Sequence, residues 1–536
     1  MKKTIALALT LVMVFALAAC GGTQPPTNEP STNQPSTNQP SGSAPGGQAS
    51  DTPKYGGVLR WASMADSSLP LGLPQYLAAA LTTLLPPWSE CLLLEASDGT
   101  IHPHLAKEWD IRIDDSMVIF TLRDDVFFTD GSQLTAEVAK WNIDLALETK
   151  IMNPAVLGAT VLDEFVVQVN LDGYTNAVMP IFASHSFCLA SMETQQLYGT
   201  DYARANPVGT GPFIITEQIP GQRIIHERND NYWMPGKPYL DGVEFYEMRD
   251  VMTQNAAVLS QNDADRVDVL STANGEQIQM LLQSGNVYRT SNVSGPLVFY
   301  PDSQNPDSPL SKLEVRQALS YAIDREAICE ARGFGIWQPA TAFVPYPYYG
   351  HKQGQNFFSF DPAKAKELLA SAGYPNGFTI SMHSPSAVDR DAVVAMQSML
   401  SDVGITANLN FPEAAAATEL RVNGWDGIFV GTFGTLPSIS STYRLAADPG
   451  NQFYPSMWRP YGEIAEWNEL YESARKTLVA DHGNYERMHE ALIEYMVMIP
   501  IFDQFGSYLI NNRIHDTGWG DWGVGTIWLP WDAWID

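Results

Sequence analysis

Residues capable of catalysis or metal binding are present, but their spacing favours neither role. His102 and His104 are separated by one proline and have no third ligand nearby, so a metal site is not predicted. The acid pairs 114–115 and 124–125 fall at expected strand edges and turns, where solvated carboxylates are normal, and a catalytic carboxylate pair is the open alternative. The chain contains no Gly-x-Ser-x-Gly, His-Glu-x-x-His or catalytic-cysteine signature. We therefore predict no catalytic residue, no metal and no cofactor.

A glycine-rich stretch, Asn206 to Phe213, is the other candidate for a chemical role. It lacks the Lys-Ser/Thr pair of a phosphate-binding loop and does not open a helix, which excludes that motif. We predict a tight turn that leads into a strand.

Cys20 is the residue for which we predict a covalent modification. Lys2 and Lys3 precede an apolar run from Ile5 to Ala19, which is typical of a secretory signal and is too short for a stable membrane span. A cysteine directly after Leu-Ala-Ala resembles a bacterial lipobox, in which the thiol is acylated, for example with palmitate. We predict lipidation of Cys20 and a protein anchored on the extracytoplasmic face of the cell membrane. The alternative is an ordinary signal peptide with an incidental cysteine.

The residues after Cys20 differ in composition from the rest of the chain. Residues 21–54 are almost entirely Gly, Thr, Gln, Pro, Asn and Ser, so they cannot bury a core and should form a solvated tether. The remaining residues are too many for one core and predict two or three compact units. The formal charge of -29 argues against nucleic acid and anionic headgroups as partners. Cys91, Cys188 and Cys329 are expected to be small buried hydrophobes, with a Cys91–Cys188 bridge as the alternative.

The elements alternate in type along the chain, which indicates an α/β fold. Period-two patterns predict strands, and helical periodicity with caps predicts helices. Thr135 is the expected N-cap of a helix over 134–148, and an Asp-Gly turn at 130–131 is expected to close a hairpin with the preceding strand. Further strands are predicted at 58–62, 117–123, 213–216, 224–228, 242–247, 378–383 and 404–410, and further helices at 315–323, 362–372, 393–400, 465–479 and 485–496.

Several segments, in order, resemble the family 5 extracytoplasmic solute-binding proteins of oligopeptide, dipeptide and nickel ABC importers. They are Gly56-Gly-Val-Leu-Arg60, Leu122-Arg-x-x-Val-x-Phe-x-Asp-Gly-x-x-Leu-Thr-Ala-Glu137, Pro207-Val-Gly-Thr-Gly-Pro-Phe213, Arg228-Asn-Asp-Asn-Tyr-Trp233 with Lys237-Pro-Tyr-Leu-Asp-Gly-Val243, Arg316-Gln-Ala-Leu-x-Tyr-Ala-Ile-Asp-Arg325, and Asp361-Pro-x-Lys-Ala-Lys-x-Leu-Leu-x-x-Ala-Gly-Tyr-Pro375. Each motif is weak alone, but six in the family's order identify the chain as a member.

The resemblance implies a type II periplasmic-binding-protein-like fold, in which a hinge joins two lobes that close on a ligand. After the signal peptide at 1–20 and the tether at 21–54, it implies lobe I at 55–293 with an inserted subdomain at about 95–206, lobe II at 294–505, and a C-terminal return to lobe I at 506–536. The implied protein is a monomer that binds a small molecule or peptide and delivers it to the permease subunits of an ABC importer.

The resemblance also points to ligand contacts. Segment 424–437 and the loop after it would line the cleft in lobe II, and the candidate ligand-binding residues are Met64, Trp337, Trp425, Phe433, Tyr443, Arg444, Trp458 and Arg459. Peptide binders of the family place an acid shortly after the tryptophan strand, and this chain has no carboxylate between Asp426 and Asp448. A buried ammonium needs a charge partner, so a free peptide is disfavoured unless another loop supplies the acid.

Three other functions stay open at this stage. The same fold could bind an oligosaccharide or aromatic compound, since aromatic faces stack on sugars and arginine pairs with carboxylates. A sensory receptor that presents its ligand to a membrane kinase would share the cleft. An extracellular glycan hydrolase is the least favoured.

Overall fold

The computed structural model describes residues 52–77, 79–97, 99–343, 356–386, 388–433, 456, 464–478, 482–519, 521 and 528–536. Cys20 and the predicted signal and tether therefore lie outside the described residues, apart from 52–54. Within the described ranges, no helix is both long and apolar enough to cross a membrane.

One large mixed sheet forms the body of the protein. Ten of its eleven strands run in the order β15-β14-β16-β12-β17-β11-β1-β10-β9-β8, and the eleventh, β13, pairs with β17 outside this order. These strands are β1 Val58–Ser63, β8 Phe213–Ile219, β9 Arg223–Arg228, β10 Gly242–Glu247, β11 Val269–Thr272, β12 Val287–Pro301, β13 Gln338–Pro339, β14 Phe378–His383, β15 Ile405–Asn410, β16 Ile428–Thr432 and β17 Ile499–Asn511. We use lobe I for the end that holds β8–β11 and β1, and lobe II for the end that holds β14–β16.

Two long antiparallel strands connect the lobes. β12 pairs with β17 over nearly its whole length, from Val287↔Asn511 in lobe I to Phe299↔Ile499 in lobe II. In lobe I β17 also pairs with β11, and in lobe II β12 also pairs with β16. The pairing is irregular between Val293 and Pro296, where β12 has one more residue than β17. We call β12 and β17 the crossing ribbon.

A separate four-stranded antiparallel sheet, in the order β4-β5-β7-β6, forms a subdomain with its own core. Its strands are β4 Ala106–Arg112, β5 Met117–Leu122, β6 Val156–Asp163 and β7 Val166–Leu171, and short pairs are formed by β2 Leu93–Glu95 with β3 Ile101–Pro103 and by β18 Ile514–His515 with β19 Trp534–Ile535. The glycines before β8 permit the subdomain to pack closely, because a Cβ at Gly209 or Gly211 would lie 2.1 or 2.5 Å from the Trp88 backbone. The predicted tight turn thus has a steric reason.

Helices cover both sheets. They are α1 Ala136–Glu148, α2 Val178–Ile181, α3 Met192–Tyr198, α4 Thr200–Ala205, α5 Val251–Leu259, α6 Gly275–Gln283, α7 Leu313–Ala322, α8 Arg325–Gly333, α9 Pro362–Ser371, α10 Arg390–Asp402, α11 Ala414–Asn423, α12 Trp467–Arg475 and α13 His482–Glu494, with 3-10 turns at Pro74–Tyr76, Ala79–Leu84, His185–Phe187, Pro309–Ser311 and Asn356–Phe358. The Thr135 hydroxyl accepts from Val138 N, so the predicted N-cap of α1 is confirmed.

The predicted Asp-Gly turn is confirmed, but β5 takes no part in the hairpin that it closes. Phe128 N donates to Ser132 O at 2.8 Å and Leu134 N donates to Val126 O at 3.0 Å, around an isolated bridge between Phe127 and Gln133. The partners of β5 are β4 and β7. A strand with an alternating apolar face can pair with any neighbour that buries that face, and the local pattern does not specify which.

The C-terminal segment packs into lobe I. Trp519 and Trp528 lie against Trp61 of β1, with ring centroids 5.2 and 5.8 Å from it. The same cluster contains Tyr508 of β17 and Val269 of β11. The residue boundaries given above for the lobes and the subdomain stay predictions.

Candidate functional site

The crossing ribbon runs through both lobes, and several polar and aromatic residues lie along it. Strands that cross between two lobes absorb the rotation when the lobes close. We therefore take the polar and aromatic residues at or beside this ribbon as the candidate site.

Asp503 is an acid in an otherwise apolar part of β17. It lies opposite Pro296 of β12 and opposite Gln338 of β13. Within the described part of the chain, no hydrogen-bond donor reaches its buried Oδ1 atom. Burial raises the pKa of Asp503 to about 7, because water no longer stabilises the ionised carboxylate. A strongly perturbed carboxyl group at a lobe junction marks a candidate functional position.

Arg289 lies on the same ribbon, on the lobe I side. It faces Leu509 across the ladder, and its Nε donates to Ser507 Oγ at 2.7 Å. Burial lowers the pKa of Arg289. Ser507 and Asp503 are four residues apart on β17, so both side chains lie on one face, roughly 13 Å apart along the strand. The ribbon therefore carries a partly buried cation and a partly buried acid on one face.

Aromatic rings surround the lobe II half of the ribbon. Trp337 stacks on Phe502 of β17, with ring centroids 4.5 Å apart and planes within 6°. Phe433 follows β16, donates its backbone N to Pro296 O at 2.8 Å, and packs near Phe343. Both predicted contacts therefore lie beside the crossing ribbon, but their side chains are 5% and 1% exposed. The side chains of Trp337 and Phe433 therefore expose little area that a ligand could contact in this structure.

Trp425 lies deeper in lobe II. Its Nε1 donates to Tyr300 O at 3.1 Å and its ring packs against Phe429. The backbone N of Trp425 donates a hydrogen bond to Ser456 Oγ at 2.8 Å. These contacts give Trp425 a structural role inside lobe II. A ligand contact at Trp425 stays a prediction.

Met64 directly follows β1, and its side chain is 63% exposed. β1 runs parallel to β10 and β11, and ligands of open α/β sheets bind outside the carboxyl ends of such strands. The other predicted contacts, Tyr443, Arg444, Trp458 and Arg459, lie outside the described residues. All eight ligand-contact assignments stay predictions.

The subdomain touches lobe II directly. Asn176 donates from its backbone N to Arg475 O at 2.8 Å and from Nδ2 to Ala474 O at 2.9 Å. The acceptors are at the end of α12, where helix carbonyls have no partner within the helix. The hydroxyl of Tyr485 on α13 donates to Asn176 Oδ1 at 3.5 Å. The two halves of the molecule are thus joined away from the ribbon as well as through it.

The sequence reasoning missed Asp503, Arg289 and Asn176. Asp503 had a usable signal, because it is the one charged residue in the apolar stretch from Val497 to Phe505. Arg289 and Asn176 had none, because their roles depend on strands and helices that are hundreds of residues away. As for metals, the described ranges contain no group of three or more His, Cys, Asp or Glu side chains that could hold an ion.

Solved structures with this fold come from several bacteria. The substrate-binding protein CtaP of Listeria monocytogenes matches with a TM-score of 0.76 and 21% identity, over 90% of this chain and 100% of that chain. The periplasmic binding protein DppA of Helicobacter pylori, solved in complex with the peptide STSA, matches with a TM-score of 0.73 and 18% identity, over 90% and 98%. These similarities show the two-lobed α/β fold of periplasmic binding proteins.

Sequence comparison identifies the family. The glutathione-binding protein GsiB of Salmonella paratyphi A is 29% identical over 332 residues, which is 60% of this chain and 63% of the relative. The alignment thus spans somewhat less than two thirds of the curated relative. The family profile described as bacterial extracellular solute-binding proteins, family 5 Middle, matches residues 100–454. The chain therefore belongs to the family 5 bacterial extracellular solute-binding proteins.

Proposed function

We propose that this protein is a lipid-anchored receptor of an ABC importer. It captures a peptide-like or other small organic solute between its lobes, on the extracytoplasmic side of the membrane, and delivers the solute to the permease subunits as a monomer. Family membership supports solute binding. The observation that carries the proposal is the crossing ribbon, two strands that connect the lobes and bear a buried acid at their junction.

Binding works by a shift between open and closed states. A ligand that contacts both lobes only when they are closed favours that state by its differential affinity. The contact between Asn176 and the end of α12 is a second link between the subdomain and lobe II, away from the crossing ribbon. No bond of the solute needs to change, so the protein acts as a carrier and not as an enzyme.

Asp503 supports a solute with a cationic group. A protonated amine beside the carboxylate would restore its ionised form and fill its missing hydrogen bond. This acid stands in for the one that is absent after β16, so the argument against a peptide loses its main support. Similar proteins include a glutathione-binding protein and two proteins solved with bound peptides, which also favours a peptide-like solute.

Native mass spectrometry of the purified protein tests the proposal. We expect an additional mass, lost on denaturation, from an intact amine-bearing solute. A sugar without an amine would replace the peptide-like assignment by the oligosaccharide alternative. Conversion of an added solute into products would contradict the carrier function altogether.

The anchor has its own test. Cys20→Ala should move the protein from the membrane fraction to the soluble extracytoplasmic fraction, because one acylated residue is the only predicted link to the bilayer. Cys329→Ala is the matched control and should stay with the membrane. A Cys20→Ala protein that remains membrane-bound would contradict lipidation at this residue.

A further inference from the structure

Two buried cysteines lie side by side at the base of the subdomain. The Sγ atoms of Cys91 and Cys188 are 2.8 Å apart, although the residues are separated by 97 positions in sequence. Their chain segments are also joined through the backbone, because Leu189 N donates to Glu90 O at 2.9 Å and Ser89 Oγ donates to Leu189 O at 2.9 Å. These hydrogen bonds hold the backbones of the two segments together, so the two cysteine side chains lie close because their backbones do.

The residue next to Cys91 holds this segment in place. The Glu90 carboxylate accepts hydrogen bonds from the Tyr232 hydroxyl at 2.6 Å and from the Thr210 hydroxyl at 2.7 Å. Trp233 Nε1 donates to the same carboxylate at 3.0 Å. Three anchors on a buried side chain leave the neighbouring cysteine little freedom to move away from Cys188.

The position of the pair within the chain is informative. Cys91 lies two residues before β2, and Cys188 directly follows the 3-10 turn His185–Phe187. All four strands of the subdomain sheet, together with α1 and α2, lie between them. The two sulfur atoms therefore mark the neck through which the chain enters and leaves this sheet.

We propose that Cys91 and Cys188 form a disulfide that closes this neck. Members of this family work outside the cytoplasm, where disulfides form and persist. Each thiol gives up one proton and one electron, and a sulfur–sulfur bond forms between them. The two electrons and two protons reduce a disulfide oxidant to two thiols, as in thiol–disulfide exchange.

The bond forms before the neck is packed. Burial raises the pKa of the Cys91 thiol well above its usual range in the folded protein. The thiolate is the reactive species in exchange, so a buried and protonated thiol reacts slowly. The disulfide is thus a product of folding in the oxidising compartment.

Cys329 provides an internal control. It lies on α8 of lobe II, in the large core cluster, while Leu92 and Leu189, the neighbours of the cysteine pair, belong to the subdomain core. In the described ranges all three cysteines are buried, so burial alone does not distinguish them. Among these three described cysteines, only Cys91 and Cys188 have their sulfur atoms within contact distance of each other.

Peptide mapping of the full-length protein tests the proposal. The protein is exported to an oxidising compartment, denatured in acid, alkylated with iodoacetamide without reductant, and digested. We expect one cross-linked peptide pair that contains Cys91 and Cys188 and weighs two hydrogen atoms less than the two peptides together. Cys329 should be alkylated in the same sample.

A variant sharpens the result. In Cys188→Ser, the Cys91 peptide should change from cross-linked to alkylated, whereas Cys329→Ser should leave the cross-link intact. Because alkylation is done on denatured protein, a variant that folds poorly still gives a reading. Alkylated Cys91 and Cys188 in the unreduced wild-type sample, or a cross-link that includes Cys329, would overturn the proposal.

Discussion

At the scale of single residues, Glu90 shows how one buried acid can organise a junction. It lies at the neck of the subdomain and accepts hydrogen bonds from three residues of two chain segments, Thr210 in one and the neighbours Tyr232 and Trp233 in the other. His104 Nε2 also lies 3.1 Å from its Oε1. A buried carboxylate is tolerated only where hydrogen-bond donors surround it, and here two segments that are distant from Glu90 in sequence supply them.

Glu90→Ala should therefore lower the free energy of unfolding by about 3 kcal/mol, because three buried donors lose their acceptor at once. Urea unfolding followed by tryptophan fluorescence measures the loss. Glu108→Ala, on the exposed face of β4, is the matched control and should change stability by less than about 0.5 kcal/mol. Equal effects of the two substitutions would contradict the anchoring role.

Asp503 predicts a pH dependence with a definite sign. Its pKa is raised from 3.8 to about 7 in the folded protein, so the folded state holds a proton that the unfolded chain has released. This group's contribution to stability is greatest below about pH 4 and is lost as the pH rises towards 7. Asp503→Asn should therefore become more stable than the wild type as the pH rises from 5 to 8.

The melting temperatures of the two proteins at several pH values give the test. Asp230→Asn, an exposed acid of the same charge, is the control and should follow the wild type at every pH. A constant difference between Asp503→Asn and the wild type would show that Asp503 does not titrate as inferred.

At the scale of elements, local pattern predicted most strands and helices but not their partners. The predicted strands at 242–247 and 378–383 match β10 and β14 residue for residue. The hairpin at Asp130-Gly131 is local and could be predicted, whereas β5 pairs with strands that begin 11 residues before it and 49 residues after it, a choice that depends on which apolar faces meet. Period and capping are local properties, whereas strand order is a property of the whole sheet.

The candidate site was harder to predict than the fold. Trp337 and Trp425 were expected to line a cleft because large aromatics often do. In the structure Trp337 stacks on β17 and Trp425 packs under β12, which is the other common use of a large ring. Sequence alone does not separate the two uses, since both need the same side chain.

The contact between the subdomain and α12 predicts an effect on affinity without contact to the solute. Asn176→Ala removes the Nδ2 bond to Ala474 O and should weaken binding of the retained solute about threefold to tenfold, the equivalent of one lost hydrogen bond. Calorimetric titration measures the dissociation constant. Solution scattering of the ligand-free variant should show a larger radius of gyration than that of the wild type.

Asn170→Ala is the matched control, because Asn170 bonds to Thr160 within the subdomain sheet. It should leave both the dissociation constant and the radius of gyration unchanged. If Asn176→Ala also changes neither, the contact with α12 makes no contribution to closure.

At the scale of the whole molecule, the two ends of the folded body meet. Lys54 Nζ lies 2.9 Å from Asp536 Oδ1, and His515 Nε2 lies 2.8 Å from Asp536 Oδ2. Trp519 and Trp528 stack on each other at 5.3 Å and fill the core beside β1. The start of the body and the C-terminal segment therefore complete lobe I together.

Trp528→Ala should destabilise lobe I by about 3–5 kcal/mol, because a fully buried ring is replaced by a cavity. Trp528→Phe should cost much less, since most of the volume remains. Thermal unfolding of both variants measures the difference. Similar losses for the two would indicate that the indole nitrogen, rather than the volume, determines stability.

The place of β17 in the large sheet has a consequence for the order of assembly. It lies between β12 and β11, both of which precede it by roughly 200 residues, so these two strands cannot be joined in the sheet until β17 is in place. When β11 and β12 have left the ribosome, β17, the strand that joins them, has not yet been synthesised. The growing polypeptide thus stays unfinished, and suited to being threaded through a translocation pore, until its final segments have been synthesised.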